Sequence, residues 1–487
     1  GKYHELSINL GGRVENKHSL SSSEERIFVY LMDAQPFSGA GIVDGRWVLA
    51  NRDLIDPTGL ENIVSGIDGL DTFYGQGYTF SSTNVLNADI IYKLNMDFLT
   101  KGLDFRVKAS YNSSYGQTKN RTCGKPASFR PYLTENGEVV YQRSGDYWNP
   151  GYSESAWSNR DWYAEASFNY NRTFGYHNVG ALLLYNQSKT YYPGSYTSIP
   201  YGYVGLVARA TYDYKHRYMI DANMGYNGSE NFAEGKRFGF FPSVSVGWGI
   251  SEEKFWEPIK SVISYLKIRA SVGLLGNDAV SPYAFLSTYN LMDGNKNAYQ
   301  TILNGKVMQA LRASVIANPT LTWENTLTYN AGFDFTMWNG LLGMEFDAFY
   351  NYTYDILTAM GGDYPPSMGG YYYTYANYNK GDSKGVEVTV SHRNKLNLAG
   401  KPFSYGASFN LTFARNRYLR YPDSPNTVEW RKRTGRSVDA SVVWVADGLF
   451  RSEEEIDNSA WYGTRPNVGD IKYRDLNGDG KIDEDDR

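Results

Sequence analysis

The segment Leu103-Asp-Phe-Arg-Val-Lys-Ala-Ser-Tyr111 alternates apolar and polar side chains at every position. Successive side chains of a β-strand point to opposite faces of the sheet, so this alternation separates an apolar face from a face that carries Arg106 and Lys108. Strict alternation of this length is typical of a strand whose two faces meet different surroundings. The segment therefore predicts a β-strand with one apolar and one polar face.

The same alternation recurs along the whole chain, and we count about thirteen such strands. Several of them run for about 10 to 13 residues, whereas strands of soluble proteins cluster near five or six. A tilted membrane strand needs about 9 to 11 residues. The lengths therefore favour a transmembrane β-barrel over a soluble β-sandwich or β-helix. The alternating segments are 3–13, 82–96, 103–111, 162–170, 178–188, 202–214, 218–227, 238–250, 266–272, 323–335, 341–353, 384–394 and 403–413.

The composition supports the same fold class, an all-β antiparallel transmembrane barrel. The chain has 487 residues and a mean hydropathy of -0.50, yet 16% of its residues are aromatic. No apolar run approaches the roughly 18 to 20 residues of a membrane helix. A barrel explains both features, because half of each strand faces a wet lumen and aromatic girdles line both interfaces. One pattern runs without a linker, so we treat residues 1–487 as a single partial barrel with long extracellular loops.

The connections between the predicted strands alternate in length, as they do in outer-membrane barrels with short periplasmic turns and long outer loops. Residues 251–263 form a longer inner connection, and we expect a short helix there with Ser251 as its N-cap. Thirteen strands is an odd number and Arg487 falls in a loop, so we expect a fragment of a longer protein. The short connections are 97–102, 175–177, 215–217 and 338–340, and the long ones are 14–81, 114–160, 276–320, 354–382 and 416 to the end.

The barrel interpretation fixes which face of the quoted strand meets lipid. Phe105, Val107 and Ala109 are expected to point outward, with Arg106 and Lys108 pointing into the lumen. A charge on the lipid face at mid-membrane costs roughly 2 to 4 kcal/mol, so the opposite register is strongly disfavoured.

Charge and cysteine content exclude several kinds of partner and site. The net charge is -4, with 48 basic and 52 acidic residues, which gives no argument for nucleic acid or a polybasic membrane patch. Cys123 is the only cysteine, so the chain has no internal disulfide and no cysteine metal site. No signal peptide begins at Gly1, so we expect the N-terminus to be processed or cut.

Several motifs, taken in order, resemble the SusC/RagA-type TonB-linked outer membrane transporters of Bacteroidetes. The resemblance covers roughly residues 80 to 487, and it rests on the ordered set, since any one motif is weak. The motifs are Tyr212-Asp-Tyr-Lys-His-Arg-Tyr-Met219, Phe241-Pro-Ser-Val-Ser-Val-Gly-Trp248, Ser251-Glu-Glu-Lys-Phe255, Leu266-Lys-Ile-Arg-Ala-Ser-Val-Gly273 with Gly276-Asn277, Asn318-Pro-Thr-Leu-Thr-Trp-Glu324 with Asn330-Ala-Gly-Phe-Asp334, Asn379-Lys-Gly381 with Gly385-Val-Glu387, and 469–486.

The resemblance implies a 22-stranded barrel in the bacterial outer membrane with an internal plug domain and a SusD-like surface lipoprotein as a lid. It also implies import of oligosaccharides, or sometimes peptides, energised through TonB. The plug, the TonB box and the closing strands are expected on parts of the protein outside this sequence. A siderophore or cobalamin receptor and a barrel-anchored surface adhesin stay open as alternatives. The sequence does not identify the substrate or individual ligand-binding residues.

The strongest local motif is an acidic loop near the end of the chain, which predicts a structural Ca²⁺ site. Its residues match the calcium-loop spacing at positions 1, 3, 5, 7, 9 and 12, with Gly480 at position 6 for the sharp turn. Lys481 would contribute its backbone carbonyl, and an aspartate at position 12 predicts a weaker site than a glutamate would. The alternative is an acidic turn rich in Asx hydrogen bonds without an ion. The predicted ligands are Asp475, Asn477, Asp479, Lys481, Asp483 and Asp486.

No catalytic constellation is apparent, so the sequence predicts a protein that is not an enzyme. No two of the five histidines lie closer than 14 residues, which excludes an H-x-x-x-H metal spacing. The G-x-S-x-G match around Ser383 enters a strand rather than a helix, unlike a nucleophile elbow. The S-x-x-K matches at Ser251 and Ser264 lack the partner motifs of the serine enzymes that use them.

Two aromatic clusters in the outer loops are candidates for stacking on sugar rings, although loop packing, lid contact or an interface girdle is the more ordinary explanation. The clusters are Tyr371, Tyr372, Tyr373 and Tyr375, and Tyr147, Trp148, Tyr152 and Trp157.

Overall fold

A computed structural model describes thirteen long strands that form the wall of the molecule. The described residues are 3–20, 39–49, 77–191, 199–280, 283–291, 301–303, 306–308, 311–315, 317–360 and 374–487, with the single positions 25, 28, 29, 32 and 70. The wall strands are β1 (His4–Leu20), β2 (Gly77–Asn95), β3 (Leu103–Thr122), β4 (Gly151–Phe174), β5 (His177–Tyr191), β6 (Tyr201–Tyr214), β7 (Tyr218–Ser229), β8 (Phe238–Gly249), β9 (Ile263–Asn277), β10 (Glu324–Met337), β11 (Leu342–Met360), β12 (Thr374–Leu398) and β13 (Lys401–Arg420).

Each wall strand pairs antiparallel with the next one along the chain, in the order β1 to β13. The predicted strand count, order and antiparallel pairing are confirmed. The strands are longer than the alternation suggests. β4 has 24 residues and β12 has 25, against about 10 in the sequence pattern. The extra length extends the wall beyond the apolar segment on the side of the long loops.

The two faces of the sheet have the chemistry that the alternation predicts. Phe105 and Phe168 lie opposite each other on one face, with ring centroids 4.8 Å apart. On the other face the Lys108 ammonium lies 3.7 Å from the Asp89 carboxylate. A hollow of about 610 Å³ on this polar face is lined by residues from β4 through β10. The predicted separation of β3 into an apolar face and a face that carries Arg106 and Lys108 is confirmed. In an outer-membrane barrel the polar face is the concave, lumen side.

The outward apolar residues of β13 give the height of the membrane-facing band. They run from Phe403 to Phe413, a distance of about 33 Å along the strand at about 3.3 Å per residue. A strand tilt of about 40° reduces this to a vertical height of about 25 Å, the height of the apolar band of outer-membrane barrels. Arg415 is the next outward residue, so the band ends between Phe413 and Arg415.

The inner connections are short turns, and one of them corrects a prediction. Lys215 and His216 both have positive φ in the three-residue connection 215–217 between β6 and β7, the conformation of a tight hairpin turn. The prediction that Ser251 caps a helix is wrong. Ser251 lies inside a 3₁₀ helix, Ile250–Glu252, which is followed by a second one, Lys254–Ile259, and neither has a side-chain cap. Pro258 and the short length keep this connection from forming a regular α-helix.

The outer connections carry small structures of their own. Four short strands form a sheet from two successive loops, and further hairpins lie in the later loops. No helix among the described residues has the length and apolar character that a membrane crossing requires. The loop strands are Gly39–Val43, Arg46–Leu49, Ser128–Leu133, Val139–Gly145, Thr288–Leu291, Thr301–Leu303, Lys306–Met308, Leu311–Val315, Ala446–Leu449 and Ile471–Tyr473, and the remaining helices are Trp338–Gly340, Glu429–Arg431, Glu453–Asp457 and Glu484–Asp486.

Candidate functional site: the lumen wall and its two rims

Arg269, which lines the polar hollow on the concave face, is the centre of a partly exposed ion cluster. Arg269 on β9 donates two hydrogen bonds of 2.6 Å to Asp347 on β11 and two of 3.1 and 3.2 Å to Asp334 on β10. One guanidinium thus neutralises two carboxylates that face the lumen. Bidentate pairs of this kind hold both partners in a fixed geometry. The cluster makes this part of the wall both polar and rigid.

A glycine makes the span of Arg269 across two strands possible. Gly332 on β10 lies between Arg269 and Asp347 in the strand register. A Cβ atom at this position would lie 2.7 Å from Oδ1 of Asp347 and 2.4 Å from the carbonyl oxygen of Phe346. No side chain larger than hydrogen fits without moving the pair. The motif Asn330-Ala-Gly-Phe-Asp334 therefore supplies both a carboxylate and the gap over which the arginine reaches.

Glu253 organises the inner rim. Its carboxylate accepts hydrogen bonds from the Tyr218 hydroxyl at 2.6 Å and the Trp248 indole at 3.3 Å, and lies 3.4 Å from the Arg217 guanidinium. The hydrogen bond from Tyr218, followed by those other contacts, lowers the pKa of Glu253. Glu252 instead faces Lys260 at 3.6 Å.

The geometry of Glu253 explains why three separated motifs occur together, since each contributes one partner. Glu253 does not act as an acidic residue of a first helical turn, because its carboxylate binds side chains from two strands. Gly249 permits the close approach, since its added Cβ would lie 2.3 Å from the carbonyl oxygen of His216. The inner rim between β6 and β9 is thus a single hydrogen-bonded unit.

The outer rim contains a small hydrophobic core built by the Asn318–Glu324 motif. Leu321 is fully buried and Trp323 is 4% exposed, and both pack with Phe232 from the loop between β7 and β8. The Trp323 indole also donates a hydrogen bond of 2.9 Å to the carbonyl of Arg237. Phe241 packs edge-to-face against the same tryptophan, with 5.2 Å between ring centroids. The motif therefore fastens one outer loop onto its neighbours.

Asparagine side chains lock the same rim from the polar side. Asn377 bonds both the amide and the carbonyl of Thr322, at 3.0 and 2.7 Å. Asn318 donates a hydrogen bond of 2.7 Å to the carbonyl of Tyr375. These contacts join the start of β12 to the loop before β10. Tyr375 is thereby placed in the packed rim, whereas Tyr371, Tyr372 and Tyr373 lie outside the described residues.

The four aromatic residues of the second cluster do not lie together in the structure. Two of them, Tyr152 and Trp157, lie on β4, and of these two only Trp157 faces the lumen. Trp157 lies opposite Gly116 on the concave side of β3 and β4. A Cβ atom added at Gly116 would lie 2.4 to 2.6 Å from three adjacent atoms of the indole, so the ring lies directly against the glycine. Trp157 is 51% exposed, so much of the ring surface stays accessible.

The other three aromatic residues of this cluster face elsewhere. Tyr152 points outward, where its hydroxyl bonds Glu154 at 2.5 Å and its ring contacts Arg121 at 5.5 Å. Tyr147 and Trp148 are exposed in the loop before β4, at 56% and 67%. Sequence reasoning grouped the four by proximity in the chain, and the period of two residues could have separated Tyr152 from Trp157.

The acidic loop 475–486 is ordered by hydrogen bonds from its own backbone. The Asp475 carboxylate accepts from the amides of Gly478 and Gly480 at 2.6 and 2.8 Å. The fully buried Asp486 carboxylate accepts from Leu476 and Asp483 at 2.7 and 2.9 Å. Across the described part of the chain, which includes this loop, no group of three or more His, Cys, Asp and Glu side chains is arranged to hold a metal ion.

The remaining predicted ligands of the loop also take part in local contacts. Asn477 and Asp479 accept from amides two residues further on, each at 2.9 Å, and Asp483 accepts from Asp485 at 2.8 Å. Lys481 donates its amide to Asp479. The oxygen donors are of the type that Ca²⁺ prefers, and each carboxylate oxygen retains a second lone pair. Calcium binding at this loop stays a prediction.

Tryptophans from the preceding segment hold the acidic loop in place. The Trp444 indole donates to the carbonyl of Asp483 at 3.0 Å, and the Trp430 indole donates to that of Asp485 at 2.8 Å. Arg431 forms an ion pair of 3.0 Å with Asp485. The loop is therefore a fixed part of the outer surface formed by residues 421–487.

The sequence matches to catalytic motifs fall in ordinary structural positions. Ser383 lies within the continuous strand β12, so the Gly381–Gly385 segment is not a strand-to-helix turn. Ser264 donates its hydroxyl to the carbonyl of Thr336 at 3.0 Å in the β9–β10 pair. His216 contacts Asp213 at 2.6 Å in the turn between β6 and β7, where the pair closes the hairpin.

The known proteins that this chain resembles are all TonB-dependent receptors. Residues 30–483 match the family described as TonB dependent receptor-like, beta-barrel. The chain is 30% identical over 291 residues to TonB-dependent receptor P26 of Formosa agariphila, covering 57% of this chain and 28% of that protein. It is 26% identical over 431 residues to SusC of Bacteroides thetaiotaomicron, covering 84% of this chain and 40% of SusC. The chain thus spans less than half the length of these curated relatives.

Solved structures show the same fold. The RagAB peptide transporter superposes with a TM-score of 0.62 and 17% sequence identity, over 88% of this chain and 47% of the matched chain. The family match, the SusC relative and this neighbour agree with the ordered motifs and with a location in the bacterial outer membrane. The relatives are receptors and transporters rather than enzymes. The chain belongs to the TonB-dependent receptor β-barrel family, and within it to the SusC/RagA type.

Proposed function

We propose that this chain forms the wall of an importer that carries a large nutrient, in the first instance an oligosaccharide, across the outer membrane. The observation that carries the proposal is the concave wall itself, where a polar lumen face leads up to the exposed ring of Trp157. Sugars present hydroxyl groups to polar side chains and C–H faces to aromatic rings, so this wall offers both kinds of contact.

The position of Trp157 suits a first contact site above the membrane. The apolar outward residues of β4 end at Trp162, and Trp157 lies about 16 Å further along the strand toward the outer end at about 3.3 Å per residue. An incoming oligosaccharide would reach this ring before it enters the membrane-spanning lumen. Ser114 and Asn159 follow Trp157 on the same inward face and lie opposite each other. They supply hydroxyl and amide groups beside the ring.

We propose a SusD-like surface lipoprotein over the outer loops, a plug domain in the lumen and energy supplied through TonB. The family membership and the SusC and RagAB likenesses support these partners. The ordered outer rim around Trp323 supports a lid contact, because a partner that opens and closes needs a firm base. Peptide import is the alternative that the RagAB description raises, and it uses the same wall.

Uptake by intact cells tests the proposal. Cells that produce the full-length receptor are expected to accumulate a labelled oligosaccharide, and cells with the gene deleted are not. Collapse of the proton gradient should stop accumulation but not surface binding. Accumulation of labelled peptides, a siderophore or cobalamin in place of the glycan would overturn the sugar assignment. Surface binding without gradient-dependent accumulation would identify an adhesin instead.

Purification from native membranes tests the partner. The full-length receptor is expected to elute with a lipoprotein in equal amount after mild detergent extraction. A receptor that elutes alone under conditions that preserve other membrane complexes would contradict the two-component importer.

A further inference from the structure

We propose that the inner connection between β8 and β9, residues 250–262, is an anchor that lies among the phospholipid headgroups of the inner leaflet of the outer membrane. Its apolar side enters the edge of the hydrocarbon, and its charged groups stay at headgroup level. The connection joins the eighth and ninth of the thirteen wall strands, so the wall continues on both sides of it.

The first contacts of the connection place it on the outward side of the wall. Tyr218 on β7 and Trp248 on β8 lie directly opposite each other, and they continue the outward apolar series of Ile220 and Val246. Glu253 accepts hydrogen bonds from both the Tyr218 hydroxyl and the Trp248 indole. Its carboxylate therefore lies outside the barrel, at the inner end of the lipid-facing band.

The far end of the connection meets the same band. Ile263, the first residue of β9, lines an apolar hollow together with the outward residues Leu266, Phe335 and Met337. The Trp256 indole donates a hydrogen bond of 3.1 Å to the carbonyl of Ile263. Trp256 thus turns toward the wall, and both ends of the connection are continuous with the surface that contacts lipid.

The side of the connection that faces away from the wall is apolar. Phe255, Ile259 and Val262 are 63%, 43% and 42% exposed. They are spaced by four and three residues, which places them on one side of a helical segment. The Lys260 amide lies 3.1 Å from the carbonyl of Trp256, so the segment closes with a turn of α-helical spacing. An apolar side of this kind beside a lipid-facing surface is typical of a helix that lies in the membrane interface.

The charged groups of the connection suit a position among headgroups. Glu252 lies 3.6 Å from Lys260, and Glu253 lies 3.4 Å from Arg217, so both carboxylates have a cation beside them. The stem of an exposed lysine can lie along apolar surface while its ammonium reaches the phosphates. The two remaining charged residues are exposed, and they are Lys254 and Glu257.

Nitroxide spin labels on the full-length receptor in phospholipid vesicles test this position, with the native cysteines, including Cys123, replaced by serine. Phe255→Cys carries the probe on the apolar side. Glu257→Cys is the matched control, because a residue two positions along a helical segment lies on the opposite side. Oxygen concentrates in hydrocarbon, whereas a nickel chelate stays in water. The ratio of oxygen to nickel collisions is expected to be several-fold higher at position 255, since an interfacial helix buries its apolar side by about 5 to 10 Å.

Two outcomes would overturn the anchor. A collision ratio at position 255 no higher than that at position 257 would show that the apolar side does not enter the membrane. Protection of position 255 from both reagents would show that protein, not lipid, covers this side. Ile259→Cys places a second probe on the same side and is expected to match Phe255→Cys, so a folding defect in one labelled variant does not decide the result.

Discussion

Gly332 shows how much of the lumen chemistry depends on one missing side chain. Substitution of Gly332 by alanine is expected to destabilise the barrel by about 1 to 3 kcal/mol, the usual cost of overpacking. The added methyl group collides with Asp347 and the Phe346 carbonyl, and so it displaces the Arg269 pair. Urea unfolding of the receptor in detergent micelles measures the loss.

Gly225 provides the matched control for that measurement. It is another inward-facing glycine inside the wall, but an added Cβ would lie 3.3 Å from the amide end of the Asn227 side chain, which can rotate away. Gly225→Ala is expected to stay within about 0.5 kcal/mol of wild type. Equal effects of the two substitutions would show that the Arg269 cluster does not depend on the gap at Gly332.

Trp157 is expected to contribute to ligand affinity without contributing to the fold. Trp157→Ala should weaken oligosaccharide binding about two- to tenfold, the equivalent of about 0.5 to 1.5 kcal/mol for one aromatic contact. Trp157→Phe should retain much of the affinity. Tyr115, next to Gly116 on the outward face, is the control, and Tyr115→Ala should leave binding unchanged. Calorimetry measures the affinity of each variant for the ligand that the uptake assay identifies. An affinity of Trp157→Ala equal to that of wild type would exclude the ring from the binding surface.

Calcium binding is expected at the acidic loop, with a dissociation constant of about 10⁻⁴ to 10⁻³ M, the range of extracellular modules. An aspartate at position 12 reaches less far than a glutamate, which favours the weak end. Titration of the chelator-treated receptor with Ca²⁺ should release or absorb heat, and Asp475→Asn with Asp479→Asn should abolish it. Glu454→Gln removes a nearby charge outside the loop as a control. If Ca²⁺ produces no heat of binding with the unmodified receptor, the segment is an acidic turn that does not bind the ion.

Among the elements, the inner connection between β8 and β9 is expected to make the stability of the protein depend on pH. The pKa of Glu253 is lowered in the folded protein, so its contribution to stability is present above the unfolded value of about 4.3 and is lost as pH falls through the folded value. Wild type should therefore exceed Glu253→Gln in unfolding temperature at pH 7, and the difference should shrink below about pH 4.3. Tyr218→Phe, which removes the hydroxyl donor at 2.6 Å from Glu253, should reduce the same pH-dependent difference.

The strands were predictable from sequence because two different solvents impose the same period of two on every wall segment. Their full lengths were not, since the outer extension of β4 is exposed to water and that of β12 packs into the outer rim, so neither keeps the alternation that lipid and lumen impose. Pro242 illustrates a local exception. It lies within β8, where a proline usually argues against a central strand. The pairing of β8 with β9 begins only at Ser243, so the missing amide costs no hydrogen bond on that side.

The partners of the site residues were not predictable, because each depends on the register between strands. Glu253 receives contacts from residues 5 and 35 positions away in the chain. Trp323 bonds a carbonyl 86 positions away. The motifs containing these residues could be recognised, but neither composition nor spacing shows which side chains meet. The same holds for Arg269, whose partners Asp334 and Asp347 lie 65 and 78 positions away in the chain.

For the whole molecule, the sharpest test of orientation is a charge placed on the convex face. Val107 occupies the middle of the outward apolar series of β3. Val107→Arg is expected to cost about 2 to 4 kcal/mol at mid-membrane. Asn112→Arg places the same charge on the concave face and should cost much less. Reversed effects, measured by unfolding in lipid vesicles, would mean that the sheet is inside out.

The uninterrupted pairing of each wall strand with its chain neighbour also bears on how the barrel is assembled. Every new strand completes a hairpin with the one before it, so contacts in the wall stay local in sequence apart from the long outer loops. Low sequence separation between contacts favours fast folding. A growing sheet of this order presents one advancing edge, and each added hairpin covers the edge left by the last. Insertion into the membrane can therefore proceed strand by strand, with one advancing edge and one fixed edge for an assembly machine to guard until the barrel closes.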